Sequence, residues 1–220
     1  MNVDFPKYKH LSFDLWLTLI KSNPEFKKQR VRLFKNFFGI SKDIDEVFDA
    51  VRYYDVLCNK INEINGRNIN TFDIYFLILQ RLGVDINSVN TIMLEEFYGE
   101  NEKIFMMYRP FLMHENIAEF FRHVESYGLS MSLISNTGFI KGKTMRALIK
   151  SFDIDIFFCC QTYSDEVGYS KPNAKIYQAA YDQIVKTKHI EKENILHIGD
   201  NYDADFLGAQ NFGFKAHLII

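Results

Sequence analysis

The sequence has no long uninterrupted apolar run, and this absence excludes a membrane-spanning helix. None of its apolar stretches approaches the roughly 18 residues that such a helix needs. Residues 1–10 lack the apolar core of a secretory signal peptide, so we expect a cytoplasmic protein that does not bind a membrane. The net charge is only -2, which gives no basic surface of the kind that binds nucleic acid.

Cysteine is scarce, and its positions predict neither a disulfide nor a metal centre. The three cysteines are Cys58, Cys159 and Cys160. Adjacent cysteines have poor geometry for an ordinary disulfide, and the spacing matches no common set of metal ligands. We therefore predict three reduced thiols in the core. Hydrophobic residues are abundant instead, at 47% of 220 residues, which is enough for a sizeable globular core.

A carboxylate interrupts the first predicted strand. The stretch from Leu11 to Ile20 is apolar except for Ser12, Asp14 and Thr18, and such a run is typical of a buried strand in a parallel sheet. Burying an unpaired carboxylate costs several kcal/mol, by the usual order of magnitude for buried charges. Asp14 is therefore either satisfied by polar partners as a structural residue or placed where the strand opens into a site.

Two patterns of secondary structure follow this strand. Residues 21–107 have helical periodicity throughout, with helices predicted at 24–38, 43–63, 71–82 and 88–107. From residue 108 onward, helices at 113–127, 140–150, 173–187 and 203–211 alternate with strands at 129–134, 154–159, 194–198 and 215–220. Alternation of this kind predicts an α/β fold with a doubly wound parallel sheet, formed by residues 1–20 and 108–220 and interrupted by a helical insert at 21–107.

Polar residues follow three of the predicted strands at their carboxyl ends. They are Asp14, the pair Ser135 and Asn136, and Asp200. In open parallel sheets, ligands bind at this edge, so these side chains should meet in one crevice. Two carboxylates suit Mg²⁺ that is also held by phosphate oxygens. Lys171 precedes a predicted helix and could supply a cation to the same phosphate, although a lone lysine is more often a surface charge.

Four motifs that contain these residues resemble the haloacid dehalogenase-like hydrolases with a helical cap after the first strand. They are Phe-Asp-Leu-Trp-Leu-Thr-Leu, Leu-Ile-Ser-Asn-Thr, Asp-Glu-Val-Gly-Tyr-Ser-Lys-Pro and Ile-Gly-Asp-Asn-Tyr-Asp-Ala-Asp. The resemblance spans nearly the whole chain. It implies a Rossmann-like core, an all-α cap domain at 21–107, and a magnesium-dependent phosphatase that acts on a small phosphorylated molecule.

The resemblance also implies a role for each matching residue. Asp14 would be the nucleophile that carries an aspartyl-phosphate, and Ser135, Asn136 and Lys171 would bind the phosphate. Mg²⁺ would be held by Asp14, Asp200 and the backbone carbonyl of Trp16. Thr18 matches the threonine of the first motif, and Asp205 would support either the metal or Lys171. The cap would select the substrate, and Lys21, Asn23, Arg52 and Tyr53 are candidates to reach it.

Trp16 departs from the pattern of the phosphatases in this family. Most of them have an aspartate at this position, which protonates the leaving oxygen and then activates water, and an indole has only a donor nitrogen. The dehalogenases of the family have an aromatic residue here and use no metal, but they lack an acidic residue at the position of Asp200 and have glycine in place of Leu17. A metal-independent 2-haloacid dehalogenase and a non-catalytic protein that binds a phosphorylated ligand therefore remain alternatives.

A further alternative comes from residues 137–144, which follow a predicted strand and end in Gly142, Lys143 and Thr144. They nearly match a nucleotide-binding phosphate loop, but Thr137 stands where that loop needs glycine. His197 lies inside a predicted strand, where we expect a hydrogen-bonded core imidazole and not a ligand, and His10 is expected to precede the first strand. We predict no role for either histidine in the reaction.

Overall fold

The structure is a computed structural model, and it describes residues 4–219. The strands are β1 (His10–Phe13), β2 (Ile20–Lys21), β3 (Phe111–Leu112), β4 (Ser130–Ser135), β5 (Phe158–Tyr163), β6 (Ile195–Gly199) and β7 (Lys215–Leu218). The α-helices are α1 (Pro24–Phe37), α2 (Ile44–Asn65), α3 (Thr71–Arg81), α4 (Thr91–Met107), α5 (Ile117–Ser126), α6 (Gly142–Lys150), α7 (Ser164–Val167), α8 (Ala174–Thr187) and α9 (Gly208–Phe212). A π-helical turn at Tyr202–Leu207 leads into α9.

Five strands form one parallel sheet in the order β5-β4-β1-β6-β7, with β1 at its centre. Side chains alternate between its faces, since Leu133 of β4 belongs to the core cluster that includes Phe121 of α5, whereas Ile134 packs with Ile176 of α8. Helices therefore cover both faces, as connections between parallel strands require. The predicted Rossmann-like, doubly wound α/β fold is confirmed. No helix among residues 4–219 combines the length and apolar character needed to cross a bilayer.

The helices α1 to α4 lie between β2 and β3 in the chain and pack around aromatic side chains. Phe34 of α1, Tyr75 of α3 and Phe97 of α4 have ring centroids 4.4–5.5 Å apart. Aromatic contacts at this distance add to the hydrophobic stabilisation of a core. The chain enters these helices after β2 and leaves them before β3. The two connecting strands are hydrogen-bonded to each other, because β2 pairs antiparallel with β3. We refer to residues 24–107 as the helical segment.

The helical segment has a second connection to the rest of the protein, through backbone hydrogen bonds to the loop between α7 and α8. The amide of Asn68 donates to the carbonyl of Gly168 at 3.2 Å, and the amide of Ser170 donates to the carbonyl of Gly66 at 3.2 Å. Gly66 ends α2 in the left-handed region, with φ of 67°, which glycine adopts without strain. We call residues 66–68 and 168–170 the strap. It lies directly before Lys171 in the chain.

Two predicted strands have different bounds in the structure. The first was expected to continue to Ile20 but ends at Phe13, and the chain then turns through Leu17, which has φ of 59°. The strand expected at 154–159 is β5 at Phe158–Tyr163, preceded by a 3₁₀ turn. Because β5 is an edge strand, its sequence is less apolar than that of a central strand, and pattern alone misplaced it.

Two single-residue predictions are also wrong. Cys58 is buried, but Cys159 is exposed and Cys160 is half-buried, so the cysteines are free but are not all core thiols. His10 does not precede the first strand but begins it, and both ring nitrogens are hydrogen-bonded, to Ser130 at 2.7 Å and to Ser132 at 2.8 Å. These hydroxyls satisfy an imidazole that is fully buried between strands.

Candidate active site

Three strands that are remote in the sequence end at one edge of the sheet, and two of them, β1 and β6, are followed there by carboxylates. Phe13, the last residue of β1, pairs with Leu133 of β4 and with Ile198 of β6, so the three strands end at nearly the same level. Asp14 therefore lies beside Asp200, and with Asp205 these two carboxylates offer ligand atoms within 4.8 Å of one another. The sequence had predicted that Asp14 and Asp200 would meet, and the structure brings them together.

Lys171 lies in the middle of this cluster, with its ammonium group buried. Its Nζ donates to Asp14 Oδ1 at 2.6 Å, to Asp205 Oδ1 at 2.6 Å and to the carbonyl of Ile134 at 2.8 Å. Burial opposes its charge, but the two carboxylates outweigh burial and raise the pKa of Lys171. The lysine is 1% exposed, so it is a charged component of the site and not a surface residue.

Asp205 is held by partners on both of its oxygens. Oδ1 accepts from Lys171 and, at 3.2 Å, from His197 Nε2, while Oδ2 accepts from the amide of Asn201 at 3.0 Å. Burial alone would raise the pKa of Asp205, but Lys171 and the hydrogen bonds lower it below the ordinary value. Because both oxygens are occupied, Asp205 is better placed to hold Lys171 than to bind a metal.

Asp14 and Asp200 have more freedom to bind a ligand. Among the described residues, Asp14 is engaged through Oδ1, by Lys171. Burial raises the pKa of Asp14 to about 7, with Lys171 acting in the opposite direction. Burial, followed by the charge of Asp205, also raises the pKa of Asp200. A cation between them would stabilise the charged form of both carboxylates. Mg²⁺ suits such a site, because this hard ion binds one or two carboxylates together with phosphate oxygens and waters.

Ser135, Asn136 and Thr18 surround the cluster in different ways. Ser135 ends β4, is fully buried, and donates to the carbonyl of Asn136 at 3.2 Å. The side chain of Asn136 accepts from the amide of Lys171 at 2.7 Å and donates to its carbonyl at 3.0 Å, which fixes the backbone that presents the lysine. The hydroxyl of Thr18 is buried and lies close enough to Asp200 to lower the pKa of that carboxyl.

A cavity of about 460 Å³ extends from the carboxylates toward the helical segment. Asp14, Lys171 and Asp200 form part of its wall on the sheet side, together with Trp16, which is half-buried. The helical segment contributes Lys27, Arg30, Arg52, Asn59 and Glu63. Of the four residues predicted to reach the site from the insert, Asn23 and Arg52 line this cavity, whereas Lys21 is exposed in β2 and Tyr53 is exposed under Arg81.

Two features of this site were not predicted from the sequence. His197 was expected to be only a hydrogen-bonded core imidazole. One ring nitrogen is hydrogen-bonded to Ser12 at 3.0 Å, as expected, but the other contacts Asp205. The second feature is Arg30, a guanidinium buried in the wall of the cavity. A histidine eight residues before an aspartate is no recognised motif, and an arginine in a helix is usually exposed, so neither residue gave a signal.

Residues 137–144 do not form a phosphate-binding loop in the structure. The amide of Gly142, at the start of α6, donates to both oxygens of Asp165, at 3.1 and 3.2 Å. The hydroxyl of Thr144 is hydrogen-bonded to Tyr98 and to Glu102. A carboxylate of the protein thus occupies the helix N-terminus where a nucleotide phosphate would have to bind.

Solved structures with a similar fold come from several organisms. A magnesium-bound structure of the HAD hydrolase YfnB from Bacillus subtilis superposes with a TM-score of 0.69 at 15% identity, covering 97% of this chain and 89% of that one. A HAD phosphatase from Thermococcus onnurineus gives a TM-score of 0.65 at 17% identity, covering 96% and 86%. At these identities the likeness concerns the fold.

One similar protein is the glyceraldehyde 3-phosphate phosphatase of Methanothermobacter thermautotrophicus. It is 29% identical over 159 residues, which are 72% of this chain and 66% of that protein. The human haloacid dehalogenase-like hydrolase domain-containing protein 3 is 25% identical over 45% of this chain and 36% of its own length. The chain thus matches less than two thirds of the length of each of these relatives.

The family model for haloacid dehalogenase-like hydrolases matches residues 8–213. The match includes all four motifs, from Asp14 to Asp205, together with the whole helical segment. The chain belongs to the haloacid dehalogenase-like hydrolases.

Proposed function

We propose that the protein is a magnesium-dependent phosphatase of a small phosphorylated metabolite and that Asp14 carries the phosphoryl group during the reaction. The observation that carries this proposal is the buried contact of Lys171 with Asp14 and Asp205, beside Asp200 and at the wall of a cavity. Nucleophile, fixed cation and metal ligand are the parts that phosphoryl transfer requires. The phosphatase among the curated relatives supports the same reaction.

Each proposed residue has a defined task in two successive steps. In the first, Asp14 attacks phosphorus, an Asp–O–P bond forms, and the ester P–O bond breaks; an alkoxide leaving group then takes a proton from water, because Trp16 has no acidic proton to give it. In the second, water attacks the aspartyl-phosphate, which restores the carboxylate and releases phosphate. Lys171 and Ser135 stabilise charge on the transferring oxygens, while Asn136 and Asp205 hold Lys171 in place.

The metal site would consist of Asp14, Asp200 and the backbone carbonyl of Trp16. Bound Mg²⁺ would neutralise charge on the phosphoryl oxygens. We expect Asp200→Ala to lose magnesium affinity by more than about tenfold, since loss of a mere hydrogen-bond partner of a metal ligand already costs about 10- to 100-fold. The variant should remain folded because Asp200 is half-buried and follows the end of the strand. Asp203→Ala is a matched control, since Asp203 is exposed nearby. Equal magnesium affinity in both variants would contradict the assignment.

The direct test of the reaction is turnover of a simple phosphate ester with and without Mg²⁺. Asp14→Asn should abolish turnover while leaving the fold intact, because amide and carboxylate have nearly the same shape. Denaturing the wild-type protein during turnover should trap phosphate on Asp14, which mass spectrometry of the peptide containing residues 10–20 would locate. Phosphate found on another residue would contradict the role of Asp14.

The helical segment would act as the cap that selects the substrate, with domain bounds near residues 21 and 107. Support comes from Lys27, Arg52 and Asn59, which line the same cavity as Asp14. These residues come from α1 and α2, so the helical segment forms this part of the cavity wall. Chemical selectivity should therefore change when residues of α1 and α2 are replaced and the carboxylate cluster is left intact.

Trp16 supports one rival function, metal-independent dehalogenation of a 2-haloacid. The indole lies in the cavity wall, where most phosphatases of the family have an acid that protonates the leaving oxygen. Asp200 argues against this rival, since its carboxylate would repel an anionic haloacid when no metal is bound. Release of halide from a 2-haloacid in the presence of EDTA, with no turnover of phosphate esters, would favour the dehalogenase.

If the chain is a phosphatase, Trp16 also determines which esters react quickly. Without an acid at this position, esters with good leaving groups should react far faster than alkyl phosphates, because an activated leaving group departs without a proton. Trp16→Asp should increase alkyl ester turnover and flatten the dependence of the rate on leaving-group pKa. An unchanged dependence in a folded, magnesium-binding variant would show that another group supplies the proton.

A further inference from the structure

The helical side of the cavity contains a buried cation that the proposed reaction does not use. Arg30 of α1 is 6% exposed and lies in the wall of the cavity that also contains Asp14 and Lys171. Its guanidinium carbon lies 4.2 Å from the ring centre of Phe139 and 5.3 Å from that of Phe26. Contacts with two aromatic rings restrict the orientation of the guanidinium plane, so Arg30 is preorganised.

The charge of Arg30 is only partly balanced by its protein neighbours. A single oxygen of Asp55 lies 3.9 Å from Arg30 Nη2 and 3.6 Å from Arg52 Nη1, and both distances exceed those of hydrogen bonds. Nε of Arg30 is buried and has no hydrogen-bond partner among the described residues. Burial lowers the pKa of Arg30, and Asp55 opposes this only in part. A buried cation whose carboxylate partner is shared and lies beyond hydrogen-bond distance is costly, and an anion in the cavity beside the guanidinium would offset that cost.

The sheet and the helical segment contribute different charges to the cavity wall. The sheet side presents Asp14 and Asp200, which would hold a phosphoryl group through Mg²⁺ and beside Lys171. The helical segment presents Lys27, Arg30 and Arg52, with Asp55 shared between the two arginines and Glu63 held by the side chain of Asn201. A volume of about 460 Å³ is in the range of pockets for small metabolites.

We propose that the substrate is a phosphate ester with a second anionic group, a carboxylate or another phosphate, and that Arg30 binds this group with the help of Arg52. The inference rests on the proposed phosphatase function for the position of the first phosphate. The planar fork of a guanidinium matches the oxygens of either anion, and a hydrogen bond to a charged group in a dry site is stronger than a neutral one.

Pairs of esters that differ only in the second group test this proposal. One pair is 2-phosphoglycolate and 2-hydroxyethyl phosphate, and the other is propane-1,3-diol bisphosphate and 3-hydroxypropyl phosphate. We expect wild-type kcat/KM to favour the anionic member of at least one pair by about 10- to 100-fold, the range for charge-assisted hydrogen bonds. The pair with the larger preference identifies the second group as carboxylate or phosphate.

Variants of two arginines on α1 separate recognition from packing. Arg30→Gln should reduce the preference to near unity, and Arg30→Lys, which keeps the charge but not the fork, should retain only part of it. Arg32→Gln is the matched control, because Arg32 is exposed on the same helix. The preference is the ratio of kcat/KM for the two esters of a pair, measured on the same protein. A smaller fraction of folded protein lowers both values equally and leaves the ratio unchanged. An equal loss for both members of a pair in Arg30→Gln would mean a packing role and would overturn the proposal.

A binding measurement tests the role of Arg30 without relying on turnover. Trp16 is the single tryptophan of the chain and lies in the cavity wall, so its fluorescence should report ligand binding. In an Asp14→Asn background, the anionic esters should bind more tightly than the neutral ones, and Arg30→Gln should remove the difference. If the wild type showed this pattern of affinities but no turnover, the proposed phosphatase function would be refuted and the anion site would still stand. Equal affinities for both members of each pair would refute the anion site.

Discussion

At the scale of single residues, Lys171 determines whether two buried carboxylates can remain charged. Removing one partner of a buried ion pair leaves an uncompensated charge, which typically destabilises a protein by about 3 to 5 kcal/mol. We expect Lys171→Met to lower the free energy of unfolding by this amount at pH 8, measured by urea denaturation in EDTA. Because Asp14 and Asp205 can take up protons instead, the loss should shrink as the pH is lowered.

A second substitution checks the cause of that loss. Adding Asp205→Asn to Lys171→Met removes one of the stranded charges and should recover part of the stability, although each change alone is destabilising. Lys175→Met serves as a control, since Lys175 is exposed in the following helix. If the double variant were no more stable than Lys171→Met, repulsion between Asp14 and Asp205 could not explain the loss.

His10 gives the protein a defined sensitivity to acid. Burial lowers the pKa of His10 from 6.5 to about 3, so between these two values the unfolded chain binds more protons than the folded one. Stability should therefore decrease as the pH falls below 6.5, by up to about 1.4 kcal/mol per pH unit from this group. His10→Gln should reduce the slope of unfolding free energy against pH, whereas His114→Gln, at an exposed position, should not. Identical slopes in all three proteins would contradict this account.

The sequence predicted which carboxylates would meet at the strand ends better than it predicted the residues around them. Asp14 and Asp200 could be found because a carboxylate that follows an apolar strand is conspicuous, and a parallel sheet brings strand ends together. Asn136 was predicted to bind substrate, but its amide is engaged with the backbone of Lys171, and a substrate contact remains a prediction. Arg30 could not be found, because burial of a helical arginine depends on packing between α1 and the loop that contains Phe139.

At the scale of elements, the end of α2 determines where the loop before α8 lies. A Cβ added at Gly66 would lie 2.6 Å from Asn173 Nδ2, and Asn173 is the N-cap of α8, two residues after Lys171. Gly83, with φ of 79°, has nothing within 4 Å of such an added Cβ. The two glycines therefore share a left-handed backbone but differ in crowding.

We expect the two alanine variants at these glycines to differ in stability and in activity. Gly83→Ala should cost about 1 to 2 kcal/mol, the usual penalty of the left-handed region. Gly66→Ala should cost more, because the methyl group also displaces Asn173, and it alone should lower kcat by shifting Lys171. Urea denaturation and steady-state kinetics measure both effects. Equal losses in the two variants would show that contact with Asn173 is unimportant.

Element boundaries were predictable where local chemistry marks them. Asp43 begins α2 with a capping box to Glu46, and Pro24 begins α1 after the N-cap Asn23. The pairing of β2 with β3 was not predictable, because it joins two dipeptides about ninety residues apart, and the edge strand β5 lacks a clear apolar pattern.

At the scale of the whole molecule, one hydrophobic cluster extends through the helical segment and one face of the sheet. Phe34 and Phe97 of the helices belong to the same cluster as Phe13 of β1 and Phe121 of α5. We therefore expect a single cooperative unfolding transition, in which fluorescence of Trp16 and far-UV circular dichroism change at the same urea concentration. Loss of helical signal before the change in fluorescence would indicate that the helical segment unfolds independently.

The strap also allows the opening frequency of the helical segment to be measured. For the helical segment to swing away from the carboxylates, the hydrogen bonds from the amides of Asn68 and Ser170 must break first. Each such event exposes these two amides to solvent, where their protons can exchange for deuterium. Under conditions where the open state exchanges faster than it closes, as at high pH, the exchange rate of the Asn68 and Ser170 amides equals the frequency of these openings. If product leaves by this route, that frequency is the ceiling on the number of substrate molecules the protein can process each second.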